Sequence, residues 1–559
     1  MKKLIALMAA GLLCGVTFAS AQEVDLVALK SQIADLQSKV DAMSKEMNKM
    51  QQHTVTDKVS LGVEFMTRVD SMQFNDVRGL NDELQGKLRN MMNDIANGAM
   101  YNFAPGSVTN TYATMSNGMG GYIPATMQNY QAMFQGQGFF DPTKVKKYDT
   151  NNDFFMTNRL RVRMSSKVNE NISFTGRLVM YKAFGESISE HFFNGTMGSM
   201  NMDMNSGQVP GDDSIHVERA YFVYSNNIGP VPYHFSLGRR PAAYGAGMEN
   251  HENAVLGGSP LGSIIQMNFD GASLGFDLED VTGIPGLNFK VCYGQGFEGQ
   301  YGTYNSLNST ADVNDVHFYG FILKAFDNDQ YKLWYNYAYG AGITDGFVGT
   351  SVFPFFVRSG GYDNSSNPTY VMVPNFGGYI SRIEPTSKVG DIELHSIMAQ
   401  GKTFGFDWFA AYSLSKTHPD GSSANPMYKF MGQDKLLDGK SRTGQSIWVG
   451  VMTPELPYTK GKLGVEYNWG SKYWLPFMAT TDAAKLATRG QVYEAYYHQP
   501  IVGDNFFATL GVMYTDYKYT GSGSPMGAPM KIEDVIPYNV MMPVVDKVTD
   551  FYLKMTYRY

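Results

Sequence analysis

Cysteine is nearly missing from this chain: 559 residues hold two, Cys14 and Cys292. Cys14 falls inside an N-terminal apolar stretch, so a processed chain would keep one thiol and could form no internal disulfide. Charge is sparse as well. Asp, Glu, Lys and Arg make up 17% of residues and the formal net charge is -7, which speaks against a nucleic-acid binder. Beyond the first residues no run approaches the roughly 18 consecutive apolar residues that a membrane-crossing helix requires. The usual catalytic signatures are missing too: no G-x-S-x-G, no phosphate-binding loop, no H-E-x-x-H and no C-x-x-C-H. Nine scattered histidines suggest no triad by spacing. The sequence therefore gives no positive sign of an enzyme, a resident cofactor or a structural metal.

Aromatic residues and glycine are abundant instead: 36 Tyr, 35 Phe and 59 Gly, at a mean hydropathy of -0.25. A helical membrane protein would not combine these. A transmembrane barrel would, because only alternate residues meet lipid and aromatics collect at both interfaces. The ends of the chain fit that expectation. Lys2 and Lys3 precede an apolar stretch from Leu4 to Phe18, and Ala19-Ser20-Ala21 offers a small-residue cleavage site, so residues 1–21 read as a signal peptide. At the other end, Phe551, Leu553, Met555, Tyr557 and Tyr559 share one face of a strand, with Tyr552, Lys554, Thr556 and Arg558 on the other. A terminal aromatic on such a strand resembles the C-terminal signal by which outer-membrane barrels are recognised for insertion.

Between these ends the period of the pattern changes once. Leu26, Leu29, Ile33, Leu36, Val40, Met43, Met47 and Met50 recur at spacings of three and four, a heptad seam that predicts a coiled coil over 22–53. Branched residues at its a positions favour two strands in isolation, whereas an attached porin barrel favours three. About 30 helical residues span roughly 45 Å, enough to project into the periplasm and join protomers. From Lys58 onward the period is two, and the region 54–559 reads as one barrel.

Sixteen strand candidates follow, near 58–70, 154–166, 171–183, 215–226, 233–244, 264–280, 287–297, 314–326, 330–341, 390–400, 403–416, 443–454, 461–474, 490–500, 505–519 and 547–559. Short gaps follow the even-numbered strands and mostly long ones the odd-numbered, the expected topology of a transmembrane antiparallel barrel. A hairpin at Asp270-Gly271 inside 264–280 would change the count to fourteen or eighteen. The first long connection, 71–153, exceeds an ordinary loop and includes a helix-like stretch with Leu80, Leu84, Leu88, Met91 and Ile95 on one face. Part of it is expected to cover the mouth or narrow the lumen.

The most informative internal motif is Thr157-Asn-Arg-Leu-Arg-Val-Arg-Met164, in which Arg159, Arg161 and Arg163 share a face. Arginine facing lipid at mid-membrane costs roughly 2–4 kcal/mol, so these three should face the lumen. Arg177, Arg219 and Arg240 on the next strands extend them into a basic wall, Arg240 least securely because Arg239 beside it must face the other way. Such a wall either favours anions or is neutralised by lumen acids such as Glu64, Glu218, Glu466 and Glu494. Two weaker metal patterns do not amount to sites. Met197, Met200, Met202 and Met204 resemble a soft cuprous cluster, but in a chain with 35 methionines composition explains them. Asp149 to Asp153 opens like a calcium loop, yet Phe154 stands where the sixth-position glycine belongs.

Three stretches resemble a known family: 157–187 (TNRLRVRM through KVNENISFTGRLVMYKAFGES), VERAYFVYSN (217–226) and FSLGRRPAAYG (235–245). The family is an uncharacterised outer-membrane, porin-like family, a domain-of-unknown-function family with a signal peptide, an N-terminal coiled coil and a C-terminal barrel. The resemblance runs from the coiled coil to the end of the chain and is densest over about 150–300. It implies a porin-like fold and an outer-membrane location, and it carries no catalytic residues. More distantly, coiled coil plus barrel is similar to trimeric porins.

The expectation is therefore an all-β, transmembrane antiparallel barrel of about 16 strands with a short N-terminal coiled coil. It would lie in outer-membrane lipid and pass small hydrophilic solutes as a homo-oligomer, trimer favoured over dimer. The alternative is a non-conducting anchor or adhesin that displays long surface loops.

Overall fold

The computed structural model describes residues 59–105, 111–185, 215–242, 245–254, 258–298, 313, 315–345, 349–351, 355–374, 381–383, 385–478, 482–541 and 543–559, together with Lys39. The expected leader, the eight seam positions from Leu26 to Met50 and the Met197–Met204 cluster lie outside the described residues.

Period-two sequence from Ser60 onward forms sixteen barrel strands. They are β1 (Ser60–Leu80), β2 (Val145–Lys167), β3 (Ile172–Ala183), β4 (His216–Ile228), β5 (Val231–Ala242), β6 (Ile265–Asp277), β7 (Asn288–Phe297) and β8 (Val316–Asp327). The second half comprises β9 (Tyr331–Thr344), β10 (Lys388–Thr403), β11 (Phe406–Pro419), β12 (Thr443–Met452), β13 (Lys462–Gly470), β14 (Gly490–Val502), β15 (Phe506–Tyr517) and β16 (Lys547–Arg558). Each pairs with the next, and β1 pairs antiparallel with β16 from Glu64↔Arg558 to Asn75↔Lys547, so the sheet closes and leaves no edge.

All sixteen expected strands are present, and 264–280 is one strand: β6 runs through Asp270-Gly271 without a turn. Bounds differ most at the first two strands. β1 continues to Leu80 and β2 begins at Val145, so their connection is 81–144 and not 71–153. At about 3.3 Å per residue, 21- and 23-residue strands greatly exceed a hydrocarbon layer about 25 Å tall. Their outer ends are therefore polar, which is why alternation faded there. The calcium-like residues Asp149 to Asp153 lie within β2, and the Asp149 carboxylate accepts from the Asp76 backbone N–H at 2.9 Å.

One end of the barrel has tight turns. Phe404 (φ 51°) and Gly405 (φ 84°) join β10 to β11 as a two-residue hairpin, the left-handed pair whose twist matches the strands. Facing follows the pleat. In β16, Phe551, Leu553 and Tyr557 are exposed on the outer side, while Asp550, Tyr552, Lys554 and Thr556 are buried inside. Phe222, Leu237, Ile397, Val465 and Leu510 continue the exposed apolar outer surface around other strands.

The other end carries a folded cap. Helix α1 (Asp82–Ala96) is capped by the Asn81 side chain, which accepts from the Leu84 N–H at 2.9 Å. It buries Leu84, Leu88, Met91 and Ile95, the face expected from the sequence. Helix α2 (Met127–Gly136), the hairpin 355–374 and segments around Phe430 and Tyr538 complete one apolar cluster drawn from four connections. Phe134 meets Phe139 and Tyr538 edge-on at 5.0 and 5.5 Å. Tyr130 Oη lies 2.6 Å from Tyr101 Oη and 2.8 Å from the Tyr370 carbonyl, which satisfies a phenol otherwise lost inside apolar packing.

Candidate functional site

The inner surface of the barrel is not uniform. Two connections expected to project outward as loops, within 243–264 and 471–489, instead pack inside it. Met248, Leu261, Ile264, Trp474, Leu475 and Leu486 join inward side chains of the strands, among them Ile392, Leu394, Met398, Phe409 and Trp448, in one buried cluster. The short helix α3 (Met248–Glu252) reaches far down the interior: His498 approaches the Asn250 carbonyl at 3.0 Å, and Arg558 donates to that of Glu252 at 3.0 Å. Gly247 permits this entry. A Cβ there would meet the Trp448 ring at 2.4 Å, and its φ of 88° suits glycine alone. From β10 to β16 most inward residues are buried, among them Leu394, Met398, Ser413, Trp448, Tyr496 and Tyr552.

A charge network occupies the same interior. Glu64 on β1 accepts from Arg159, Arg161, Arg163 and Arg558 at 3.2, 3.0, 2.9 and 2.9 Å. Glu218 takes Arg161 in a fork at 2.8 and 3.0 Å and Arg177 at 2.7 Å. A bulge puts Glu218 there: Arg177 pairs with Arg219 but Leu178 with Val217, so residue 218 is the extra one. Consecutive Glu218 and Arg219 are both buried as a result, while Val217 faces out. Arg159 also donates to Glu252 and Asp482, each at 2.9 Å, which ties both inserted segments to the wall. Lys485 reaches Glu466 at 2.6 Å and also bonds Glu494, which lies 3.0 Å from His251. Burial opposes charge on Lys485, but Glu466 and Glu494 more than offset it and raise its pKa above the ordinary lysine value. A polar cavity of about 30 Å³ among Arg68, Asp482, Lys485 and Glu494 leaves room for little more than a water.

Of the six expected wall arginines, Arg159, Arg161, Arg163, Arg177 and Arg219 converge on this network. Four of them are buried, and Arg163 alone keeps 41% of its side chain exposed. Glu64, Glu218, Glu466 and Glu494, the acids anticipated as lumen partners, are all among the acceptors. The four buried arginines therefore face the carboxylate network and not open water, and Arg163 meets Glu64 from its exposed edge. Arg68, His251, Glu252, Asp482, Lys485 and Lys554 were not anticipated. His251, Glu252, Asp482 and Lys485 sit on the inserted segments, whose one available signal was unusual apolar content for surface loops: Leu261, Ile264, Trp474, Leu475 and Leu486.

Arg240 stands apart. It lies on β5 opposite Phe269, one residue from Arg239, which faces out and pairs with Asp270 at 3.2 Å. Strand alternation therefore holds without a bulge at this point, and Arg240 faces inward. Around it, inward residues of β4 to β7 such as Tyr221, Val223, His234, Lys290 and Cys292 are only half-buried, unlike their counterparts on β10 to β16.

The architecture defines a closed sixteen-strand antiparallel barrel with an apolar exterior and a polar, partly filled interior. By its match over residues 149–559, the chain belongs to the family described as "Protein of unknown function (DUF3373)". A comparison with curated proteins finds no match. Among solved structures it is similar to OprB of Pseudomonas putida, at 9% identity and a TM-score of 0.39, covering 92% of this chain and 97% of that one. OmpT of Vibrio cholerae in its trimer form gives 11% identity and 0.36, covering 90% and 100%. An anion-selective porin from Comamonas acidovorans gives 9% and 0.37, covering 90% and 99%. Likeness at this level carries no argument about any residue of the interior.

Proposed function

We propose that the chain is an outer-membrane, porin-like channel that passes small hydrophilic solutes by diffusion along one side of its interior. The observation that carries this reading is the contrast inside the wall: most inward residues of β10 to β16 are buried, whereas Tyr221, His234, Arg240 and Lys290 on β4, β5 and β7 are half-buried. The apolar exterior supports the membrane location, since charge there is costly and the outward strand positions are largely aromatic or aliphatic. The mechanism is passive. Inserted segments and cap set the width, and side chains of the unfilled sector bias charge. Residues 1–21 act as the export signal, and 22–53 form a periplasmic coiled coil that joins protomers, trimer favoured. No catalytic role is assigned.

Planar-bilayer recording of detergent-purified protein tests the channel. Discrete ohmic steps, smaller than those of an unobstructed sixteen-strand barrel, are expected. Electrical silence from a barrel that still shifts on heating in gels would favour a second reading, a non-conducting anchor. The filled interior and the four-connection cap are the observations on that side.

A further inference from the structure

Charges on the two sides of the interior are handled differently. In the filled sector nearly every guanidinium and ammonium meets a carboxylate. In the unfilled sector, Arg240 and Lys290 form no ion pair among the described residues.

Their placement is set by register. His234 on β5 and Lys290 on β7 both pair with Gly275 of β6, so one inward row reads His234, Gly275, Lys290. The imidazole lies across that glycine: a Cβ on Gly275 would meet His234 Cε1 at 2.2 Å. Arg240 lies six residues further along the same inward face of β5, opposite Phe269, and its charge acts on both His234 and Lys290. Acidic groups nearby are few. Asp277 is a neighbour of His234, while Lys324, a further cation beside Lys290, is held by Asp327 at 3.2 Å. The next row inward is neutral: Ser236 and Ser273 bond each other at 3.0 Å, beside Cys292. Drawing two fixed cations together without a counter-ion is unfavourable, and a mobile anion between them relieves it.

We propose that His234, Arg240 and Lys290 form an anion-binding site on the unfilled wall, taking small carboxylate- or phosphate-bearing solutes as they pass. This rests on the channel reading and moves its selectivity from the five networked arginines to three residues outside the network. The carboxylate of a solute would meet Lys290, with the imidazole as a further donor, while Arg240 further along the same face keeps the approach positive.

Cys292, half-buried and two residues along the same face from Lys290, is a native reporter of the local potential. The test compares modification of full-length protein in detergent by an anionic and a cationic methanethiosulfonate, each normalised to its rate with a small free thiol and read at Cys292 by peptide mass. The anionic reagent should be favoured roughly tenfold. Arg240→Gln with Lys290→Gln should bring the ratio near one, while Arg239→Gln, on the opposite face, should leave it unchanged. A ratio near one in the parent, no loss in the double variant, or a thiol closed to both reagents would overturn the site. Bilayer recording separates the two claims. Ohmic steps with no reagent preference sink the site and keep the channel, whereas silence with a preserved preference sinks the channel and keeps the site.

Discussion

The wall between β10 and β16 and the wall between β4 and β7 are built from the same alternating pattern, yet only the first is solid inside. Its inward residues, from Leu394 to Tyr552, have something to pack on, because the segments containing Leu261 and Trp474 turn into the lumen. On β4 to β7 the inward face mixes glycine and serine with Tyr221, Val223, His234 and Cys292, and carries Arg240 and Lys290, which form no ion pair among the described residues. The sign of a wall residue therefore says little until its opposite number is known. Arginines facing Glu64 and Glu218 are held in the wall by carboxylates, whereas Arg240 and Lys290 meet none among the described residues.

The strongest way to break the solid side is to remove its central acceptor. Glu64→Gln leaves four guanidiniums around a neutral amide and should cost about 3–5 kcal/mol, the range for breaking a buried pair. Urea unfolding in detergent, followed by the gel shift on heating, would measure it. Next comes the inserted core, where Leu475→Ala should cost about 2–4 kcal/mol by the same measurement. If Leu475 instead faced water, the loss would be within about 0.5 kcal/mol. The open side is sharpened by a bulky maleimide on Cys292, which should lower unit conductance by roughly half if solutes pass there. An equal loss after labelling an engineered cysteine at Ser413, on the solid side, would erase the distinction.

The smallest expected effect lies in the cap. Glu83 accepts from Lys87 and Lys144 at 2.7 and 2.9 Å, and these bonds hold its pKa at about 2, below the ordinary glutamate value of 4.5. A lowered carboxylate stabilises above the unfolded pKa and loses that contribution as pH falls toward the folded one. Cap protection from proteolysis should thus be constant above about pH 5 and fall slightly between pH 4.5 and 2, and Glu83→Gln should flatten that step.

The barrel was legible because lipid enforces alternation strand by strand: all sixteen strands and the outward face of β16 follow from period two alone. The helix at 82–96 was legible for the same local reason, a regular apolar face. The ends of β1 and β2 were not, because beyond the hydrocarbon no solvent difference marks the two faces. The interior was misjudged where it depends on distant pairing. Nothing near Asp482 announces Arg159, and nothing near Glu252 announces Arg558. The facing of Arg240 was in doubt because of Arg239 beside it; it lies on the inward face without a bulge, and among the described residues it meets no carboxylate.

The seam between β1 and β16 has a consequence for assembly. Glu64 bonds Arg558, the penultimate residue, across the joint that closes the cylinder. A barrel whose final strand is unpaired therefore keeps an open hydrogen-bonding margin and lacks one of the four guanidiniums that surround Glu64. Ring closure and the seating of Arg558 on Glu64 thus coincide in one pairing event, and the ladder that seals the cylinder also ties its first strand to the buried charge network.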